Sequence, residues 1–360
     1  MNLENLTPAM KQYLQMKQQN PDCILLFRIG DFYEVFFEDA KICASVLDLI
    51  ITSKNKNSEN PIPMAGIPHH SIEKYIPRLI AKGYKVAIAE QMTDPVPWKI
   101  VERSIKSIIT PGTYIQENQR ELSTLLAITR SSEKSGTNYH LAWWDFTIGN
   151  YQTKTLSNLE QAQKLILSLR PTEIILDSDL TNKEEIIGPI QSYLNCLVSV
   201  YGVPFDPEHT ILTVCKVQQL ASFGKALTEW RASALALLFA YIQHTQQQVL
   251  KNVNTISYHA ADGLVLMDET TVKNLEIFSS SYENSSKYTL FEILNTTKTA
   301  WGARLLRDIL SNPTNNKTEL NWRHSHLERL FDDTKTSVIH QFFSAFFDIP
   351  KLLSLILYRK

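Results

Sequence analysis

Between positions 28 and 34 the chain reads Arg28-Ile29-Gly30-Asp31-Phe32-Tyr33-Glu34, which sets an aromatic ring and a carboxylate two positions apart just past a glycine. A flat ring can enter a stack of bases, and a carboxylate beside it can bond the edge of the base that is displaced. An apolar side chain pushed between base steps kinks a duplex, and the deformation is cheapest where the bases already pair badly. The competing reading is structural. Phe32, Tyr33, Phe36 and Phe37 are equally suited to the core face of a helix opening near Glu34, because apolar side chains mostly serve packing. Phe-x-Glu alone is too common a pattern to decide.

The elements that must hold this segment are legible around it. The apolar run Ile24-Leu25-Leu26-Phe27 lies within a strand at 23–28. Thr7-Pro8 marks a helix start, with Thr as N-cap and Pro in the first turn. Apolar residues at helical spacing predict a helix over 35–47, then a strand at 49–52 and a polar loop at 53–60. Ser71 is placed to cap a helix running to 82, stopped by Gly83 and strained by Pro77 inside it. Strands at 84–90 and 100–109 complete an α/β unit with its aromatic tip on a loop.

Several blocks recur in one order: FRIGDFYEVFFEDA from Phe27 to Ala40, then Pro61-Ile62-Pro63-Met64-Ala65-Gly66-Ile67-Pro68-His69-His70, then Ala87-Ile88-Ala89-Glu90-Gln91, then Thr110-Pro111-Gly112-Thr113. In order and spacing they resemble the mismatch-recognition domain of MutS-type DNA mismatch-repair proteins, and several independent blocks weigh far more than one motif. The resemblance implies that Phe32 is a wedge stacking on a mispaired or unpaired base from the minor groove. It implies that Glu34 bonds that base, either as a carboxylate that accepts or as a protonated carboxyl that donates. Arg28, Met64, His69, Lys74, Arg78, Lys99, Arg103 and Lys106 are the candidates for contacts to the DNA backbone or groove.

A second unit begins near Glu121. Strands at 139–150 and 151–156 meet at a tight Gly149-Asn150 turn, and Ser157-x-x-Glu160 has the form of a capping box before a helix ending ahead of Pro171. A strand at 172–176, a helix at 183–194, a strand at 196–201 and a long helix at 227–250 follow. Strands first, then alternation, suit a ribonuclease-H-like sheet, the fold the resemblance implies for a connector domain. Nucleases of that fold need converging carboxylates for two cations. Asp145 stands in a suitable strand, but Asp177, Asp179, Glu184 and Glu185 do not look like its partners. From about Asn252 onward, the stretch 266–277 and the apolar positions 290, 293, 294, 305, 306, 309 and 310 resemble the family's helical core, with a helix pair over 288–310 packing as core. The expected architecture is therefore multidomain α/β plus α: a mixed α/β mismatch-binding domain over 1–115, a ribonuclease-H-like α/β connector over 116–250, and the start of a helical core domain over 251–360.

Composition sets the outer limits. Of 360 residues 44% are hydrophobic and 20% charged, and the formal net charge is −1, a globular profile without the basic excess of a nonspecific DNA binder. Four scattered cysteines suggest reduced thiols and no metal site, so the expected compartment is the cytoplasm, and the run 234–242 is too short to span a bilayer. Within the family, ATP and Mg²⁺ belong to a domain with a phosphate-binding loop. Here Gly224-Lys225 is followed by Ala226 and lacks the upstream glycine, so no cofactor and no enzymatic activity are expected of this chain. The expected partners are double-stranded DNA with mismatches or small loops, and a MutL-type protein through the connector. The family resemblance also suggests a truncated, monomeric piece lacking clamp and ATPase domains; a DNA-silent docking module is the alternative.

Overall fold

The run from Cys23 forms strand β1 (Cys23–Ile29), apolar on both faces because helices pack on both sides of it. It turns through Gly30 and Asp31 into β2 (Phe32–Phe36), with Ile29 opposite Phe32. The positive φ of this link falls on Gly30 alone, at +59°, as in a hairpin turn that requires glycine at its first central position. The computed structural model describes residues 7–54, 61–93, 100–114, 123–133, 136–145, 150–180, 183–191, 194, 196–220, 229–246, 256–258, 265, 267, 269–280, 287–330, 333–349 and 352. Lys99, Gly149 and the Gly224-Lys225 pair lie outside them. Two units are resolved, one of residues 1–116 and 240–250, the other of 117–239 and 251–360.

In the first unit, Val35 and Phe36 are strand and not helix. Helix α2 (Phe37–Leu47) opens two residues later than apolar spacing predicts, turning at Phe37 with φ +56°, an uncommon conformation for a bulky residue. Strands β3 (Thr52–Lys54), β4 (Ile62–Pro68), β5 (Lys85–Gln91) and β6 (Arg103–Ile109) complete a sheet ordered β3-β4-β2-β1-β5-β6, with only β1 and β5 parallel. Helices α2 and α3 (Ile72–Ala81) cover one face over Ile24, Leu26, Tyr33, Val35, Ala65 and Ile67. Ser71 makes no side-chain cap bond, and a 3-10 turn at His69–Ser71 leads into α3 instead.

Helix α1 (Pro8–Gln19) covers part of the other face, setting Met10 and Tyr13 against Leu25, Phe27 and Phe36. A buried polar knot pins it. Lys17 Nζ reaches Asp39 Oδ1 at 2.9 Å and the Cys23 carbonyl at 2.6 Å, while Leu25 N donates to Asp39 Oδ2 at 3.0 Å and the Tyr13 hydroxyl to the Phe36 carbonyl at 3.3 Å. These partners make a buried carboxylate tolerable.

In the second unit β7 (Thr124–Glu133), β8 (Gly136–Asp145) and β9 (Asn150–Leu156) form an antiparallel meander. β10 (Glu173–Asp177) runs parallel to β7, β11 (Leu197–Tyr201) parallel to β10, and β12 (Ile256–Tyr258) parallel to β9, giving the order β11-β10-β7-β8-β9-β12. This is the ribonuclease-H-like arrangement. Helices α4 (Leu159–Leu169) and α5 (Lys183–Gln191) cover one face. α6 (Pro207–Cys215) follows β11, and α7 (Glu229–Gln246) meets the other face through Phe239 on Tyr151 and a 2.8 Å bond between Ser233 and Thr129. The N-cap of α4 is Asn158, whose Oδ1 accepts from Gln161 N at 2.8 Å, so the Ser157-x-x-Glu160 box is not used. Glu160 pairs with Lys164 one turn on.

Asp145 lies opposite Thr124, at the start of β7, whereas Asp177 ends β10 beyond the Leu176–Ile128 pair. At roughly 3.3 Å per strand residue the two carboxylates stand about 16 Å apart along the sheet, on strands that flank β7 on either side, and cannot share a cation pair. Among the described residues, the elements after β12 are helices: α8 (Glu269–Asn274), α9 (Leu290–Leu294), α10 (Ala300–Ser311), α11 (Lys317–Glu328) and α12 (Asp333–Phe343). Thr289 and Thr299 cap α9 and α10, and a bidentate Arg304–Asp348 pair at 2.7 and 2.6 Å ties α10 to the segment after α12. Contrary to the expected core packing, Leu290, Ile293, Leu294 and Leu305 are exposed. Among the described residues no helix is long and apolar enough to cross a membrane.

Candidate nucleic-acid interface

Strand β2 alternates its side chains between two environments. Tyr33 and Val35 point into the core under α2 and α3. Phe36, Glu34 and Phe32 share the opposite face, and along them exposure climbs from 1% for Phe36 to 19% for the Glu34 side chain and 47% for Phe32. The cause is α1, which seals the Phe36 end through Tyr13 (ring centroids 4.9 Å apart) and stops short of the Phe32 end. The core part of the competing reading therefore holds for Tyr33 and Phe36, though on a strand and not a helix, and fails for Phe32. Its ring rests on backbone at Gly66 of β4, where an added Cβ would meet Phe32 Cδ1 at 3.6 Å.

The hairpin tip under that ring is braced. His69 N donates to the Asp31 carbonyl at 2.9 Å, and its Nδ1 lies 3.3 Å from the same oxygen. On the helix-covered face the Tyr33 hydroxyl donates to Glu90, and Arg28 lies over the Tyr33 ring at 5.5 Å. Burial, reinforced by the Glu90 hydrogen bond, pushes the Tyr33 phenol up to about 12, so it stays a neutral donor. Arg28 is thus on the face away from Phe32 and Glu34.

Two cations attend Glu34. Lys54 Nζ of β3 lies 3.4 Å from Glu34 Oε2. Arg103 of β6 lies over the Phe27 ring at 5.0 Å and donates to the Arg28 carbonyl at 2.6 Å and the Val101 carbonyl at 2.9 Å. Burial lowers the Arg103 pKa, and the nearby Glu34 charge opposes that shift. Met64 is half-buried opposite Phe36 and packs into the core beneath α1.

The other candidate cations are dispersed. Arg78 closes the C-terminus of α2, donating to the carbonyls of Val46 at 2.8 Å and Leu47 at 3.2 Å and to Asp48 at 2.6 Å. Lys74 is exposed on α3, which covers the opposite face. Lys106 is exposed on edge strand β6, three strands from β2, or roughly 14 Å at the usual strand spacing. Lys54 was not legible as a site residue: it stands in a three-residue strand within a polar stretch, too short to show a period.

An exposed ring beside a half-buried carboxylate, with cations behind it, is a surface that can stack on a flat group and bond its edge. Family comparison carries this α/β class further. Residues 7–118 match the model for MutS domain I, residues 123–254 that for MutS domain II, and residues 270–360 that for MutS domain III. The chain belongs to the MutS family. The DNA mismatch repair protein MutS of Streptococcus mutans serotype c is 32% identical over 362 residues, spanning 100% of this chain and 41% of that relative. MutS of Lactococcus lactis subsp. cremoris (strain MG1363) is 37% identical over 313 residues, with 86% and 35% covered. The DNA mismatch repair protein HexA of Streptococcus pneumoniae serotype 4 is 33% identical over 363 residues, with 100% and 41% covered. The chain thus matches between about a third and two fifths of the length of these relatives.

Proposed function

We propose that this chain carries the mismatch-reading head of a DNA mismatch-repair protein, with Phe32 as the wedge and Glu34 as the group that bonds the displaced base. One observation carries the reading: on a sheet face that α1 covers in part, the uncovered end holds an aromatic ring and a carboxylate side by side. Base–aromatic stacking contributes about 1–3 kcal/mol and tolerates any base. A mismatch has already lost part of its pairing and stacking, so specificity comes mainly from the lower cost of deforming it. His69, Met64, Lys74, Lys99 and Lys106 are assigned supporting contacts to groove or backbone. Arg28, Arg78 and Arg103 enter the proposal as residues that hold the head together, in keeping with their internal bonds.

In this proposal residues 1–115 read the mismatch, 116–250 form the connector and 251–360 begin a helical core, the chain acts as a cytoplasmic monomer, and ATP- and Mg²⁺-dependent steps fall to the part of the relatives it does not span. Docking of a MutL-type partner on the connector is a second reading. Exposed Val200 on edge strand β11 and fully exposed Phe205, shortly after that strand, favour it.

The test is equilibrium binding of the 360-residue chain at low salt to a fully paired duplex and to one with a single G·T mismatch. A preference for the mismatch that disappears in Phe32→Ala supports the wedge. Equal affinity for both duplexes, or a preference that survives in Phe32→Ala, overturns it.

A further inference from the structure

Lys54 reaches Glu34 from edge strand β3, across the intervening β4, and is itself held in place. Its Nζ lies 3.4 Å from Glu34 Oε2 and 5.0 Å from the centre of the Phe36 ring. The ring fixes the cation by cation–π attraction, and Phe36 is fixed in turn by burial under Tyr13. Only Oε2 of Glu34 is engaged; among the described residues Oε1 has no hydrogen-bond partner. Glu34 shares this face with Phe32, whose ring marks where a displaced base would lie.

We propose that Lys54 is a positioning residue for base recognition: it anchors one oxygen of Glu34 and leaves the other turned to the base stacked on Phe32. The inference rests on the mismatch-reading proposal above. Two physical terms support it. A glutamate side chain loses rotamer freedom when it fixes on a ligand, and a standing ion pair removes part of that cost before binding. A carboxylate brought toward a duplex also meets the phosphate field, which a cation 3.4 Å away offsets. Because the pair is partly exposed, its effect is modest, about two- to five-fold.

The test compares the full chain, Lys54→Met, Glu34→Gln and the double variant on paired and G·T duplexes across a range of salt, with Phe32→Ala alongside. Methionine keeps the aliphatic stem over Phe36, and melting curves verify that each variant folds. Lys54→Met should lower the mismatch-to-paired affinity ratio about two- to five-fold, and should not lower it further in the Glu34→Gln background. A loss of the same size in that background contradicts the proposal. So does equal weakening on both duplexes with a salt slope shallower by about one, which would make Lys54 a phosphate contact. An unchanged ratio in Lys54→Met, with the ratio still abolished in Phe32→Ala, sinks this inference alone. A wild-type chain with no preference sinks the mismatch-reading proposal with it.

Discussion

In the first sheet the face shared by Phe36, Glu34 and Phe32 lies open at one end, whereas the central strands of the second sheet lie under helices on both faces. The polar groups follow suit. In the second sheet, buried His140 bridges Ser131 at 2.8 Å and Thr155 at 3.0 Å across three strands, and buried Glu173 accepts from the Ser199 hydroxyl at 2.6 Å. Those groups satisfy one another and have nothing to offer a ligand. In the first sheet one oxygen of Glu34 has no hydrogen-bond partner among the described residues, and the Phe32 ring stands half in water. Similar residue types therefore serve opposite ends. What separates them is how far a helix reaches across the sheet.

The comparison breaks most visibly at Trp144, which is fully buried and stacked on Tyr151 at 5.4 Å and 4°. Trp144→Ala should cost about 3–5 kcal/mol in denaturant unfolding while leaving the mismatch-to-paired ratio of the folded fraction unchanged. Phe32→Ala should do the reverse, removing about 1–3 kcal/mol of mismatch preference. Its effect on unfolding should stay within roughly 0.5 kcal/mol, as at other exposed positions. A large loss of stability in Phe32→Ala would return the ring to the core. Lys106→Ala should weaken both duplexes alike, with a salt slope shallower by about one if it neutralises one phosphate.

The smallest effect concerns Asp177, at the end of β10. Burial raises its carboxyl above the ordinary 3.8, although the Asp179 amide at 3.2 Å opposes the shift. The folded state then holds this proton more tightly than the unfolded chain. The group's contribution is fully present below the ordinary value and declines as pH rises through the raised one. Asp177→Asn keeps an acceptor for that amide, so it should melt slightly higher than wild type at neutral pH and lose the advantage in acid. A melting difference independent of pH would contradict this.

Much of the frame was legible because it obeys local rules. The apolar run of β1, the Thr7 cap and the helix over Leu227 to Leu250, observed as Glu229–Gln246, all announce themselves. The misses have physical causes. β7 is buried on both faces through Leu125, Leu126, Ala127 and Ile128, so it lacks the alternation that marks a half-exposed strand. β4 carries Pro63 and Pro68, residues that argue against a strand, but β3 pairs with it only over 62–64 and β2 only over 64–68, so each proline is paired on one side alone. Residues 32–36 fit helix and strand alike, and only the reach of α1 decides which aromatic stays outside. Basic residues could be counted in advance, but their partners could not: Arg78 binds helix carbonyls and Lys54 binds the carboxylate.

The measurement closest to the central claim places 2-aminopurine at the mispaired position of a duplex and follows its emission on titration with the chain, with Phe32→Ala and with Phe32→Trp. If the ring at position 32 stacks on that base, wild type should change the emission on binding, Phe32→Trp should do so as well, and Phe32→Ala should bind without the change. An equal change with Phe32→Ala, or none with wild type under saturating binding, would place the contact elsewhere and contradict the account.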